Sequence, residues 1–211
     1  MAFTIAACRR CALIDRVIVS TDSAEYGEIA RCYGAEVPFL RPAELAESDS
    51  PDIGFIVHAL DWLVGEGREP TNVVHMRPTT PFRNPRLVDD AIRSFVVSSD
   101  ATALRSVHEM SQSAYKSLEV APSGWLRPMD AVDTAMDEAN LGRQSFPTTF
   151  MANGYVDVVS VEFIRATGLL HGDRVLPFRT PPVLEVDTED DMERLEFQLT
   201  KDPGLLATVF V

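Results

Sequence analysis

Several things are scarce in this chain of 211 residues, and each scarcity removes a class of protein. Positive charge is in deficit: 19 lysines and arginines stand against 32 aspartates and glutamates, a formal net charge of −13. Long nucleic acids demand a basic stripe to replace phosphate counterions, so that partner is excluded. A small anionic ligand is not, because it needs only a few well-placed arginines. No apolar run approaches the ~20 residues of a membrane-spanning helix, which removes the bilayer as a partner. Cysteine is limited to Cys8, Cys11 and Cys32. The one C-x-x-C pair lacks the other two ligands of a zinc site and reads as structural thiols. The odd count, and an opening stretch interrupted by Arg9 and Arg10, argue against secretion and for the cytoplasm. A glycine-rich phosphate loop is also lacking: neither G-x-x-x-x-G-K-S/T nor G-x-G-x-x-G occurs.

What is present is a 45% hydrophobic chain whose strand and helix signals alternate, the pattern of an α/β fold with a mainly parallel sheet and helices on both faces. Residues 2–12 read as a helix and Val17 to Ser20 as a short buried strand. Asp22 and Glu25 make a capping-box-like start for a helix that Gly34 ends. A strand from Glu36 to Leu40 follows. Ser50-Pro51 then supplies an N-cap and first-turn proline for a helix with Ile53, Ile56, Val57, Leu60, Leu63 and Val64 on one face. Asn72 to Met76 is a third strand. Asn84-Pro85 opens a helix that turns Val88, Ala91, Ile92 and Phe95 inward, and Ala101 to Val107 is a fourth strand. Periodicity fails from Ser111 to Pro147, which predicts a projecting lobe, because a structureless loop of that length is unusual in a compact domain. Asn153 to Val161 returns as a strand. Val183 to Asp187 is expected as the last strand, before a helix begun by Thr188 with Met192, Leu195 and Leu199 inward.

The most informative segment is Val73 to Arg83, VVHMRPTTPFR. An apolar strand runs into a rigid turn carrying two prolines, two threonines and two arginines. In open α/β sheets ligands sit beyond the carboxyl ends of strands, and arginine forks suit carboxylate and phosphate. The competing account is a tight connection that merely starts the next helix. This loop resembles the Q-P-T-S-P-L-R signature of the acylneuraminate cytidylyltransferases, the CMP-sialic acid synthetases. Asp15 to Asp22 is similar to that family's D-x-V-x-V-S-T-D-D turn, and Tyr33 to Phe39 with Arg41 to Ala46 to its Y-G-A-x-V-P-x-x-R-P-x-x-L-A segment. Arg143 to Pro147 followed by Asn153-Gly154 resembles R-Q-x-L-P…N-G. These blocks follow in family order along nearly the whole chain, with residues 111–140 matching worst.

The resemblance implies one domain, residues 1–211, of nucleotide-diphospho-sugar transferase type, beginning after the family's basic nucleotide loop, with a small lobe at about 111–160. It implies transfer of CMP from CTP to an acidic nine-carbon sugar. Arg41 and the Ser50 region would hold the cytidine, Arg77 and Thr79 would meet the sugar, and Arg143 would reach its carboxylate. Gln144 and Asn153 fall on motif positions near the sugar, and Asp157 is placed with them although many relatives carry an aromatic residue at that position. Arg77, where the family has glutamine, suggests a sugar other than N-acetylneuraminate itself. The chemistry needs Mg²⁺ to neutralise phosphate charge, and Glu185 and Asp187, two apart on an expected strand, would converge on it; helix capping is the other use open to Asp187. An eight-carbon 3-deoxy sugar acid, or a non-catalytic sugar-binding copy, are the other functions compatible with these blocks. The exposed apolar residues expected in the lobe, Trp125, Leu126, Met129 and Met136, imply a homodimer.

Overall fold

The computed structural model describes residues 1–129 and 135–210. Helix α1 spans Ala2–Arg10 and α2 spans Ala24–Cys32. The Ser23 hydroxyl, not Asp22, caps α2 by accepting from the Tyr26 N–H. Helix α3 covers Asp52–Gly65 with Pro51 at its N-cap; Ser50 instead donates its hydroxyl hydrogen to the Glu44 carbonyl. Strand β1 is Asn72–His75 and α4 is Pro85–Val96, capped by the Asn84 side chain. Strand β2 is Ala103–Glu109, and the lobe beyond it holds the hairpin β3, Leu118–Val120, with β4, Leu126–Pro128. Strand β5 (Phe150–Ser160) leads into α5 (Val161–Thr167), and β6 (Val175–Arg179) precedes α6 (Glu189–Lys201) and α7 (Gly204–Phe210). Five of the lobe residues expected from sequence, 130–134, lie outside the described residues.

The main sheet runs β1-β5-β2-β6 and is mixed rather than mainly parallel. Strand β5 lies antiparallel between β1 and β2, and only the β2–β6 pair is parallel. Register explains the two layers. Val74, Val158 and Leu104 are aligned across three strands and pack on the α4 residues Val88, Ala91, Ile92 and Phe95. Their neighbours Val73, Val159 and Ala103 face the other way, onto Ile56 and Leu60 of α3 and Ile164 of α5. Successive strand residues point to opposite faces, so one apolar run serves both helical layers.

Three expected strands do not form as such. Residues 17–20 and 36–40 make one parallel bridge, Ile18 with Glu36, and no ladder. Residues 183–187 form no strand, and the Val186 N–H donates to the Thr79 carbonyl at 2.8 Å. The last sheet strand is instead β6, whose Pro177 can sit there because β6 is at the sheet edge and needs donors on one side only. The lobe ends before β5, which belongs to the main sheet. Met192, expected inward on α6, is exposed, and Leu195 is the buried residue of that helix. Cys8 and Cys11 are buried, and burial pushes their thiols up to about 11 and about 12, whereas Cys32 is exposed.

Candidate active site

The site grows from an irregularity in β5. Its register against β2 jumps from Asp157 opposite Arg105 to Ala152 opposite Val107. Residues 153–156 therefore bulge out of the ladder, and the strand turns through Gly154 at φ +60°. Four of the groups released by the bulge find partners. The Val156 N–H donates to the Ser106 hydroxyl (2.9 Å) and the Tyr155 N–H to the Asn153 side-chain oxygen (3.3 Å). The carbonyls of Gly154 and Tyr155 accept from Arg83 at 2.9 and 2.6 Å.

Arg83 is thus a clamp and not a ligand for substrate. It is 1% exposed, and it also donates to the Arg77 and Thr80 carbonyls and the Thr4 hydroxyl. Burial lowers its guanidinium to about 10, which leaves it charged at neutral pH, with carbonyl dipoles rather than a carboxylate around it. The effect is to hold the Arg77–Thr80 turn against Gly154. A side chain at 154 would meet Glu185 Oε1 at 3.2 Å and Thr80 Oγ1 at 3.3 Å. Glycine is required there for both its positive φ and the close approach.

Beside this turn lies a network of buried charge. Arg77 donates to Asp157 at 3.1 Å and to Asp52 at 2.9 Å. Asp157 is 1% exposed, with Arg105 Nε and His171 Nε2 each 3.8 Å from its Oδ2. Its other oxygen, Oδ1, and Arg105 Nε have no hydrogen-bond partner. Burial pulls the Arg77 guanidinium down, but Asp157 and Asp52 outweigh it and Arg77 is raised overall. His75, with Nδ1 3.9 Å from Asp52, is lowered by burial and by the charge of Arg77. Burial likewise lowers His171 against the pull of Asp157.

The residues singled out from sequence are brought together unevenly. Arg77, Thr79, Asp157 and Glu185 gather around the bulge. Thr79 is tied through its carbonyl to Val186, which carries Glu185 and Asp187 to the same turn. Both of these carboxylates are exposed, and neither forms an ion pair among the described residues. Thr188, with Asp191 completing the box, caps α6, so Asp187 has no capping role. Arg41 sits apart, bonded to Ser20 and 4.4 Å over the ring of Phe55. Phe55 in turn is 5.6 Å from His75. Asn153 is buried and its amide donates to Thr180 at 2.6 Å, a structural use. Arg143 and Gln144 are exposed on the lobe side, Arg143 pairing with Glu109 at the end of β2. Ser50 is held by the Glu44 carbonyl through its hydroxyl and by the Glu47 carbonyl through its N–H. Asp52, His75, Arg105 and His171 were missed by sequence reasoning; the only signal for them was that His75 and Asp52 adjoin segments already chosen. Among the described residues no cluster of three or more His, Cys, Asp or Glu forms a metal cage. The donors present are the Glu185 and Asp187 carboxylates, which suit a cation that also holds phosphate and water.

This fold is shared with a solved structure of a synthetase. The solved structure titled CMP:2-keto-3-deoxy-manno-octonic acid synthetase complexed with CTP superimposes with a TM-score of 0.65 at 11% identity, over 95% of this chain and 87% of that one. In sequence the chain is similar to the N-acylneuraminate cytidylyltransferase of Escherichia coli, 27% identical over 203 residues, which are 94% of this chain and 44% of that protein. It is also 29% identical over 119 residues to the CMP-N,N'-diacetyllegionaminic acid synthase of Legionella pneumophila, 56% of this chain and 51% of the relative. The chain therefore spans about half the length of these curated relatives. No family model matches it.

Proposed function

We propose that this chain carries cytidylyl transfer: CMP passes from CTP to an acidic 3-deoxy sugar of the nonulosonic class, and pyrophosphate leaves. The observation that supports it most is the convergence of the Arg77–Thr80 turn, Gly154 and Glu185 at one end of β1, on the segments that resemble the cytidylyltransferases. In the reaction the anomeric hydroxyl oxygen bonds to the α-phosphorus, the bond from that phosphorus to the bridging oxygen breaks, and the hydroxyl proton is lost. Mg²⁺, when bound, neutralises phosphate charge. Glu185 and Asp187 would hold it from the segment docked on Thr79. Arg41, over Phe55, would face the cytidine together with the Ser50 region. Arg143 can exchange its exposed Glu109 partner for the sugar carboxylate at little cost, since exposed ion pairs are worth only ~0–1 kcal/mol. Arg77 acts differently from a free fork. With two carboxylates already on it, it is held by buried Asp157 and orients the more exposed Asp52 toward sugar hydroxyls. A nine-carbon acid is favoured over an eight-carbon one by the sequence relatives. Enzyme and CTP would meet in the cytoplasm.

Pyrophosphate release with CTP, Mg²⁺ and each sugar acid tests this. Slow release that depends on both CTP and a nonulosonic acid is expected; none with either acid overturns the proposal. Asp187→Ala should abolish the Mg²⁺-dependent rate while shifting stability by less than about 0.5 kcal/mol, as for an exposed side chain without a structural partner. The lobe is proposed to pair two copies, because Trp125 is 77% exposed and Leu126, Met129 and Met136 are exposed as well. Light scattering should give twice 23.3 kDa; a monomer mass refutes the pairing.

A further inference from the structure

One face of the main sheet is covered along part of its length only. Leu104 of β2 and Leu176 and Phe178 of β6 pack toward α4. Their neighbours Ala103, Arg105, Val175, Pro177 and Arg179 therefore point to the opposite face. There Ala103 and Val175 lie under α3 and α5. Further along both strands the cover ends: Pro177, Arg179 and Glu109 are exposed, and the Arg105 side chain is 40% exposed although its Nε is buried.

Two arginines are neighbours on this bare floor. Strands β2 and β6 are parallel, with Arg105 opposite Pro177 and Val107 opposite Arg179, so Arg105 and Arg179 stand diagonally on adjacent strands. Arg179 lies 4.7 Å over the ring of Phe150, the register partner of Glu109, and its arm therefore crosses β2 on the same face. Like charges on neighbouring strands repel, and a chain with 32 acidic residues has ample means to separate them. It leaves them together. Among the described residues no carboxylate pairs with Arg179, and the exposed Glu109 is taken by Arg143. Arg105 has Asp157 alone, at 3.8 Å, and shares it with Arg77 and His171. The other arginines around the site are engaged: Arg77 by two carboxylates, Arg83 by buried carbonyls and Arg41 by Ser20.

An arginine fork without a carboxylate of its own suits a carboxylate or phosphate oxygen pair. The floor adjoins the Arg77–Thr80 turn, because Arg105 and Arg77 approach the same Asp157 oxygen, Oδ2. The phosphates of CTP belong with the cation at Glu185 and Asp187, on the segment docked to Thr79, which leaves the floor to the acceptor. We propose that Arg105 and Arg179 receive the carboxylate of the acceptor sugar and decide for an acid over a neutral sugar. Phe150 holds the Arg179 guanidinium flat against the sheet, and Arg143 joins the pair only on leaving Glu109. The identity of this ligand rests on the cytidylyl-transfer reading.

Binding and turnover are measured separately on the full chain. N-acetylneuraminate and N,N'-diacetyllegionaminate are each titrated without CTP, as the free acid and as the methyl ester, by ligand-observed NMR. The acid should bind about tenfold or more tightly than its ester. Arg105→Gln and Arg179→Gln should each weaken the acid about tenfold and leave the ester unchanged, a selectivity that a merely structural loss does not produce. Arg105→Lys keeps the charge without the fork and should fall between, which also serves if Arg105→Gln fails to fold. Arg86→Gln, an exposed arginine of α4, should change nothing. Equal weakening of acid and ester overturns the proposal, as does acid binding that is unchanged in both glutamine variants. Binding of neither acid overturns it as well. Absence of pyrophosphate release, with acid binding still dependent on Arg105 and Arg179, would remove the transfer reading and leave the subsite standing.

Discussion

On its β5 side, β1 is paired residue by residue, and what lies beyond is closed: Val158 and Val159 are buried on opposite faces, and in the bulge the N–H groups of Tyr155 and Val156 have partners. On its other side the same strand faces a cavity whose far wall is held by a single bridge. Composition does not distinguish the two sides, since Val17-Ile18-Val19 is as apolar as Val156 to Val159. The difference lies in whether backbone and side chains can be satisfied by the same neighbour. Where they can, the core is dry and accommodates a buried arginine. Where only the side chains can, the valines remain half-exposed.

The sharpest way to break this comparison is to remove one arginine from each side. Arg83 supplies five hydrogen bonds, four to carbonyls of the bulge and the turn and one to the Thr4 hydroxyl. Arg83→Met strands several buried carbonyls and should cost about 3–5 kcal/mol, on the scale of breaking a buried polar network. Arg68, exposed at the rim of the cavity, should lose under about 0.5 kcal/mol as Arg68→Met. Urea denaturation of the two variants measures both. Similar losses would mean that the cavity side is as tightly organised as the bulge side.

The same contrast explains what could be read from sequence. Helix α4 was legible because its signals are local: an Asn-Pro start and a stripe at helical spacing, all of whose members are buried. The segments 17–20 and 36–40 have equally good strand composition, but a strand needs a neighbour paired along its length and composition does not report whether one is there. Conversely β6 was hidden by Pro177, whose missing donor argues against a strand everywhere except at an edge. Antiparallel β5 was assigned as a strand, but its direction depends on the crossover before it, which no short-range signal records. In the site, the Arg77 turn and Glu185 were legible as motif residues. The pairing of Arg77 with Asp52 and Asp157, 25 and 80 residues away, was not, because it is set by which strands become neighbours.

A smaller effect should come from acid. His75 and His171, both in the buried network, have pKa values lowered from 6.5, chiefly by burial. A group held neutral in the folded state takes up its proton more readily when unfolded. Its contribution is therefore present above about pH 6.5 and is lost as pH falls through that value toward the lower folded pKa. Stability should decline between pH 7 and 5, and His171→Gln should flatten part of the decline by removing one of the two groups. A flat profile in the wild-type protein would place both rings in contact with water. Protonation of His171, beside Asp157, should loosen the bulge side and leave exchange at Ile18 unaffected.

The smallest effect, and the finest discrimination, comes from two helix caps of the same chemistry. Ser160 caps α5 by accepting from the Phe163 N–H, and Ser23 caps α2 by accepting from the Tyr26 N–H, both at 3.2 Å. In isolation each hydroxyl is worth about 1 kcal/mol. Their settings differ. Helix α5 follows directly on β5 and buries Val161 and Ile164 in the core, so it can unfold only when the sheet does. Helix α2 buries Gly27 and Ala30 against the small cluster of Ile5, Ala35 and Val37, and its strands hold one bridge. Ser160→Ala should therefore lower global stability by the full ~1 kcal/mol of the cap. Ser23→Ala should show half of that or less in a global melt, and instead speed amide exchange through α2, because local opening of that unit lies below the global transition. Equal global losses with no local change in α2 would show that residues 17–41 unfold together with the sheet, and the single bridge would then be as strong a tie as the full ladder on the other side of β1.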